Sequence, residues 1–210
     1  MQRVTIFDYG AGNLHSLAKA LAGPGTDLRI EPDPVRAIET DVLVLPGVGS
    51  FQQAAKQLAP GRAVMREAML NGGLPTLGIC LGMQIFFDES DEGPGHGLGV
   101  LPGRVTRLAA RRVPQIGWNT LDDVHDSLFE AAPISIAYYA NSFACRPESE
   151  RVVTAWSQHE GDRFAAAVRA GEQGNVVGLQ FHPEKSSRAG VRLVKAFLAE
   201  AGRAVSHDVP

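Results

Sequence analysis

The first half of the chain reads as short apolar runs set between longer stretches with helical spacing. Val4 to Phe7 predicts a first strand, and the turn Asp8-Tyr9-Gly10-Ala11-Gly12-Asn13 leads into a helix reaching about Leu21. Asp27 to Ile30 predicts a second strand. Asp41-Val42-Leu43-Val44-Leu45 predicts a third, ending at Pro46-Gly47-Val48-Gly49. Helical residues follow from Phe51. Leu74-Pro75-Thr76-Leu77-Gly78-Ile79 then reads as a buried strand, and Met83 to Phe87 begins another helical stretch. Strands that are apolar throughout, rather than alternating, are covered on both faces. Their alternation with helices predicts an α/β fold with a parallel, doubly wound sheet.

Beyond Gly97 the texture changes to short β-rich pieces. Arg104 to Leu108, Ile134 to Tyr139, Val152 to Trp156, Phe164 to Val168 and Val176 to Gln180 read as additional strands, partly antiparallel, wrapped on the same sheet. Pro114-Gln115-Ile116-Gly117-Trp118-Asn119 reads as a loop, because proline and glycine punctuate it. A last helix is expected from about Arg188 to Ala201, with a frayed tail over 202–210. Without a repeat, linker or low-complexity segment, residues 1–201 are expected to form one domain.

Composition narrows the function classes. A chain of 210 residues with 44% hydrophobic content can bury one full α/β core. A net charge of −3 gives no reason to expect nucleic acid or an anionic membrane as partner. Cys80 and Cys145 lack both metal-ligand spacing and a disulfide framework. His15, His96, His125, His159 and His207 are scattered, so neither metal nor cofactor is expected. With no apolar signal segment after Met1 and no run able to span a bilayer, a reduced cytoplasmic protein is the plain expectation.

The candidate chemistry sits at strand ends. Cys80 lies between strand and helix with Gly78 and Gly82 on either side, a nucleophile elbow with sulfur in place of oxygen. The helix start behind it favours thiolate. A lone buried cysteine is ordinarily a small core residue, and His182-Pro183-Glu184 alone would pass for a surface pair. Together they supply the three groups that amide attack requires: a sulfur nucleophile, a base that later protonates the leaving amine, and a carboxylate orienting that base. If the segment after Val176-Val177-Gly178-Leu179 is extended, His182 and Glu184 point the same way. The Leu81 N–H and the Gly47-Val48 peptide are the candidate oxyanion donors, each worth roughly 10²–10³ in rate.

These segments resemble the class I (triad-type) glutamine amidotransferases. Gly78-Ile79-Cys80-Leu81-Gly82-Met83-Gln84 and Gln180-Phe181-His182-Pro183-Glu184 carry the resemblance. Phe7–Leu14, Pro46–Phe51, Pro114–Asn119 and His182–Ser186 narrow it to the glutaminase subunits of imidazole glycerol phosphate synthase. The resemblance spans Val4 to about Leu198. It implies a flavodoxin-like sheet, hydrolysis of glutamine through a Cys80 thioester, and delivery of ammonia to a (β/α)₈-barrel cyclase subunit in a heterodimer. By the same resemblance Gly49, Gln84, Glu92, Asn141 and Ser142 hold substrate, and Asn13, Trp118, Asn119 and Lys185 meet the partner. Asn141 and Phe143 depart from the histidine and tyrosine of many relatives. The alternative enzyme is the glutaminase subunit of anthranilate or aminodeoxychorismate synthase, whose members usually carry histidine where Met83 stands. A binding subunit without catalysis is the competing class, and it does not explain an intact Cys, His and Glu set.

Overall fold

The computed structural model describes residues 1–10 and 12–207; Ala11 and the last three residues of the expected tail lie outside them. Strands and helices alternate through the first half: β1 (Gln2–Phe7), α1 (His15–Leu21), β2 (Thr26–Glu31), α2 (Pro34–Ala37), β3 (Val42–Leu45), α3 (Phe51–Leu58), α4 (Arg62–Leu70), β4 (Thr76–Ile79) and α5 (Leu81–Gln84). Strands dominate afterwards: β5 (Glu89–Ser90), β6 (Gly103–Arg107), β7 (Gln115–Thr120), α6 (Ser127–Ala131), β8 (Ile136–Asn141), β9 (Phe143–Pro147), β10 (Val153–His159), β11 (Asp162–Ala170), β12 (Val176–Leu179) and α7 (Ser187–His207).

Among the described residues the main sheet has the order β10-β11-β12-β4-β3-β1-β2. The run from β2 to β12 is parallel, with β12 taking the place of a fifth strand beside β4. That is the flavodoxin-like order, in which ligands gather beyond the carboxyl ends of the strands. β11 and β10 extend the sheet antiparallel. β3, β4 and β12 are buried along their whole lengths. Successive residues point to opposite faces: Val42 and Val44 pack under α1, α6 and α7, while Leu43 and Leu45 pack with α3 and α4. Each such fully buried side chain contributes about 1.5–3 kcal/mol.

Three expectations need correcting. The later strands do not all join the main sheet: β5, β6 and β9 form a second sheet, and β7 with β8 a third. Trp118 lies on β7, paired with Tyr138 of β8, and not in a loop. Pro114 precedes that strand and Gly117 sits on a two-stranded ribbon, where the loss of ladder regularity is tolerated. The last helix runs on to His207, past the Ala201 at which a frayed tail was expected. Its packing against α1 and α6 supplies support that local sequence cannot reveal.

Candidate active site

β4 ends by delivering Cys80 into a left-handed backbone conformation, φ 48° and ψ −102°. A non-glycine residue held there stores roughly 1–3 kcal/mol, and such strain gathers where structure serves chemistry. The flanking glycines let the turn close. A Cβ at Gly78 would lie 2.6 Å from Phe86 Cζ and 2.7 Å from the Gly82 carbonyl, and one at Gly82 would strike the Leu45 carbonyl. Leu81 opens α5, so its N–H precedes the first helical bond, from the Gln84 N–H to the Cys80 carbonyl at 3.1 Å. It is therefore a free donor of the kind an oxyanion needs.

β12 lies beside β4 with Gly178 opposite Gly78 and Leu179 opposite Ile79. The residues that follow the two strands consequently meet. His182 is 4% exposed, and its Nδ1 lies 2.8 Å from Glu184 Oε1. The two residues do not reach each other along an extended segment: Pro183–Lys185 form a 3₁₀ turn, and the contact closes across it. His182 is held from behind by β8. Its N–H donates to the Tyr138 carbonyl at 2.8 Å, while Ser186 Oγ donates to the His182 carbonyl and accepts from the Tyr138 N–H.

Electrostatics couple the imidazole to the sulfur. Burial alone would lower the His182 pKa, but the charge and hydrogen bond of Cys80, with Glu184 behind, raise it to about 10. With Nδ1 committed to Glu184, Nε2 is the atom left to face Cys80. The imidazolium is thus poised to give its proton to a leaving amine.

The other expected residues fall into distinct groups. Gly47 and Val48 line a cavity of about 170 Å³ with Asn13, His182, Glu184 and Lys185. Glu92 is half-buried, and its Oε2 accepts from the Phe51 N–H at 2.8 Å, directly after the loop holding Gly49. Gln84 and Asn141 are both buried, and both donate to the Phe143 carbonyl at 3.0 Å. Asn141 Oδ1 is buried without a hydrogen-bond partner. Ser142 lies beside them, its carbonyl accepting from Leu108. Trp118 is 51% exposed and packs edge-on against Tyr138. Asn119 is tied within its own chain, donating to the Gln158 carbonyl.

The sequence places Gln180 in the strand-end motif but gives it no role of its own. Gln180 is fully buried, and its Nε2 lies 3.5 Å from Cys80 Sγ. Its Oε1 accepts from Gln84 Nε2 at 3.4 Å and from Cys145 Sγ at 3.8 Å. Burial pushes the Cys145 thiol well up, so it stays protonated and can donate. The available signal was a polar residue closing the apolar run of β12.

Among the described residues, no cluster of three or more His, Cys, Asp or Glu side chains could hold a metal, and no helix is long and apolar enough to cross a membrane. Comparison with known proteins bears on the same residues. Residues 5–201 match the family described as glutamine amidotransferase class-I. The imidazole glycerol phosphate synthase subunit HisH of Symbiobacterium thermophilum is 42% identical, covering 98% of this chain and 95% of its own. Its counterpart in Corynebacterium diphtheriae is 39% identical, covering 94% and 99%. A solved structure described as glutamine amidotransferase matches the fold with a TM-score of 0.73 at 23% identity, over 95% of this chain and 98% of that one. With a family match over nearly its whole length and a strand-end Cys, His and Glu set, the chain belongs to the class I glutamine amidotransferases.

Proposed function

We propose that the chain is the glutaminase subunit of imidazole glycerol phosphate synthase, making ammonia for a (β/α)₈-barrel cyclase subunit. The observation that carries this reading is the match, at about 40% identity and nearly full length, to relatives bearing that subunit's name.

In this reading Cys80 Sγ attacks the carboxamide carbon of glutamine, and the C=O electrons move to oxygen. The Leu81 N–H and the Gly47-Val48 peptide receive the oxyanion. Collapse breaks the C–N bond as His182 Nε2–H protonates the nitrogen, releasing ammonia and leaving a thioester on Cys80. His182, now neutral, takes a proton from water. Hydroxide adds to the thioester, the C–S bond breaks, and glutamate leaves with the thiolate restored. Glu184 keeps the imidazole oriented in both halves. Gln84, Asn141 and Ser142 on one side, and Glu92 with Gly49 on the other, hold the substrate's amino-acid end.

The docking face is the β7–β8 ribbon. Ile116, Trp118 and Ile136 are 68%, 51% and 47% exposed, and strand alternation with the pairing of β7 and β8 puts them on one side with Tyr138. Contiguous exposed apolar groups of this kind mark protein interfaces. Asn13 and Lys185, the other partner contacts in this reading, flank the cavity beside Glu184. In this reading the ammonia leaves toward the partner and is spent there on imidazole glycerol phosphate and an aminoimidazole carboxamide ribotide, in a soluble cytoplasmic heterodimer.

Co-purification with the candidate barrel subunit, followed by a glutaminase assay with and without its nucleotide ligand, tests the reading. Turnover is expected to be low alone and to rise strongly in the liganded complex. Strong partner-independent turnover, or stimulation only by a chorismate-using subunit, would refute it. Cys80→Ala should abolish glutamine-dependent synthesis and leave synthesis from ammonium salts intact.

A further inference from the structure

Behind the sulfur lies a buried polar relay that the triad does not use. Gln180 leaves the end of β12 with no exposed surface, and its amide stands between two thiols. Two donors, Gln84 Nε2 and Cys145 Sγ, converge on its Oε1. Amide orientation follows from such a network, and this one leaves Nε2 turned to Cys80 Sγ at 3.5 Å. Its main chain is pinned as well, the Gln180 N–H donating to the Ala166 carbonyl at 2.9 Å.

We infer that Gln180 is a positioning residue for the nucleophile: its amide N–H holds and solvates the Cys80 sulfur anion inside the protein, and Cys145 keeps that amide from turning over. The sulfur needs such a donor because Cys80 is only 7% exposed, so little water reaches it. His182 lies on one side of the sulfur and must be free to carry its proton to the leaving nitrogen. A second, non-titrating donor stabilises the sulfur anion before attack and again as it leaves the thioester, so the imidazolium can turn to the nitrogen without stranding the sulfur. Gln180 never gains or loses a proton in this role. The titratable groups facing Cys80 are His182, backed by Glu184, and Cys145. Gln84 joins the same relay through Gln180 Oε1, so seating substrate on Gln84 would be felt at the sulfur without direct contact.

This inference rests on Cys80 being the nucleophile, and the test separates the two. Cys80 alkylation by iodoacetamide is followed against pH by peptide mapping, with glutamine turnover measured before and after labelling. In Gln180→Met, which keeps volume and removes the donor, alkylation at pH 6.5 is expected to fall about tenfold and its midpoint to move up by about one pH unit, the worth of one charge-assisted hydrogen bond. Cys145→Ala removes one of the two donors that hold the amide and should shift the profile the same way by a smaller amount. Cys145→Ser, which retains a donor, should rescue it. A Gln180→Met profile superimposable on wild type, with fold intact by circular dichroism, would overturn the role. Should Gln180→Met fail to fold, the Cys145 pair decides: equal profiles for the alanine and serine variants overturn the relay, and rescue by serine alone upholds it. Labelling of Cys80 that spares turnover would instead defeat the nucleophile assignment itself.

Discussion

A Cβ placed on Gly47 would come within 2.8 Å of His182 Cε1, with Cys80 Cβ at 3.1 Å and the Ile79 carbonyl at 3.0 Å. The loop after β3 is therefore wedged against the imidazole and the sulfur at once. Gly47→Ala must push one of them aside. Displacement of about 1 Å at a reacting pair costs on the order of 10² in rate, so glutamine turnover of the complex should fall by about that factor while ammonia-dependent synthesis persists. Steady-state assays with both nitrogen sources check this, and an alanine variant near wild-type turnover would disprove the wedge.

The His182 pKa also sets a pH dependence of stability. Its folded value, about 10, lies above the ordinary 6.5. Folding thus favours its protonated form, a contribution present in full below pH 6.5 and lost as pH rises through about 10. Urea midpoints of wild type and His182→Asn at pH 6, 8 and 10 are expected to draw together as pH increases. A gap that widens instead would mean the imidazole is neutral at rest.

Trp118 is more than half exposed on the β7–β8 ribbon and makes an edge-on ring contact with Tyr138, whose backbone clamps His182. If the ribbon is the docking face, Trp118→Ala should weaken partner binding by about 2–4 kcal/mol, the range of an interface hot spot. The isolated subunit's melting temperature should hardly change. Calorimetric titration against the candidate barrel subunit reads the first quantity and thermal unfolding the second.

Away from the site, Arg169 of β11 joins α6 to α7. It grips both Asp126 oxygens at 2.7 and 2.8 Å and reaches Glu200 at 2.6 Å. Burial works to raise the Asp126 pKa, yet the Arg169 bonds hold it below its ordinary 3.8. Arg169→Met strands a carboxylate that is 8% exposed, at a cost of about 2–4 kcal/mol at pH 7. The depressed carboxyl stabilises the wild type above pH 3.8, and that benefit drains away as pH falls through the folded value. Urea unfolding at pH 7 and pH 3 should therefore find the gap between the two proteins narrower in acid.

How much of this was legible in the sequence follows from where burial leaves a pattern. β3, β4 and β12 are covered on both faces, so their apolar runs announced a parallel sheet. Cys80 closes one of those runs and His182 follows three residues after another, which is why residues about a hundred positions apart could be assigned to one place. Half of the ribbon leaves a trace: β8 reads as a strand at Ile134 to Tyr139, whereas β7, which carries Trp118, reads as a loop because Pro114 and Gly117 punctuate it and its apolar residues face outward. The 3₁₀ turn at Pro183–Lys185 depends on Ser186 and Tyr138, a contact across 48 positions that no local rule contains. Gln180 was visible as a polar residue at a strand end, but its meaning lies in two thiols that only the folded chain brings to it.

The seating of β12 between β4 and β11 has a consequence for biosynthesis. A ribosome delivers residue 80 long before residue 182, and until β12 has docked there is no imidazole beside the sulfur. A nascent or truncated chain therefore carries an unprimed cysteine. Cys80 acquires its imidazole neighbour only after residue 182 has been made and β12 has docked beside β4, so the pairing of the two is a late event in translation.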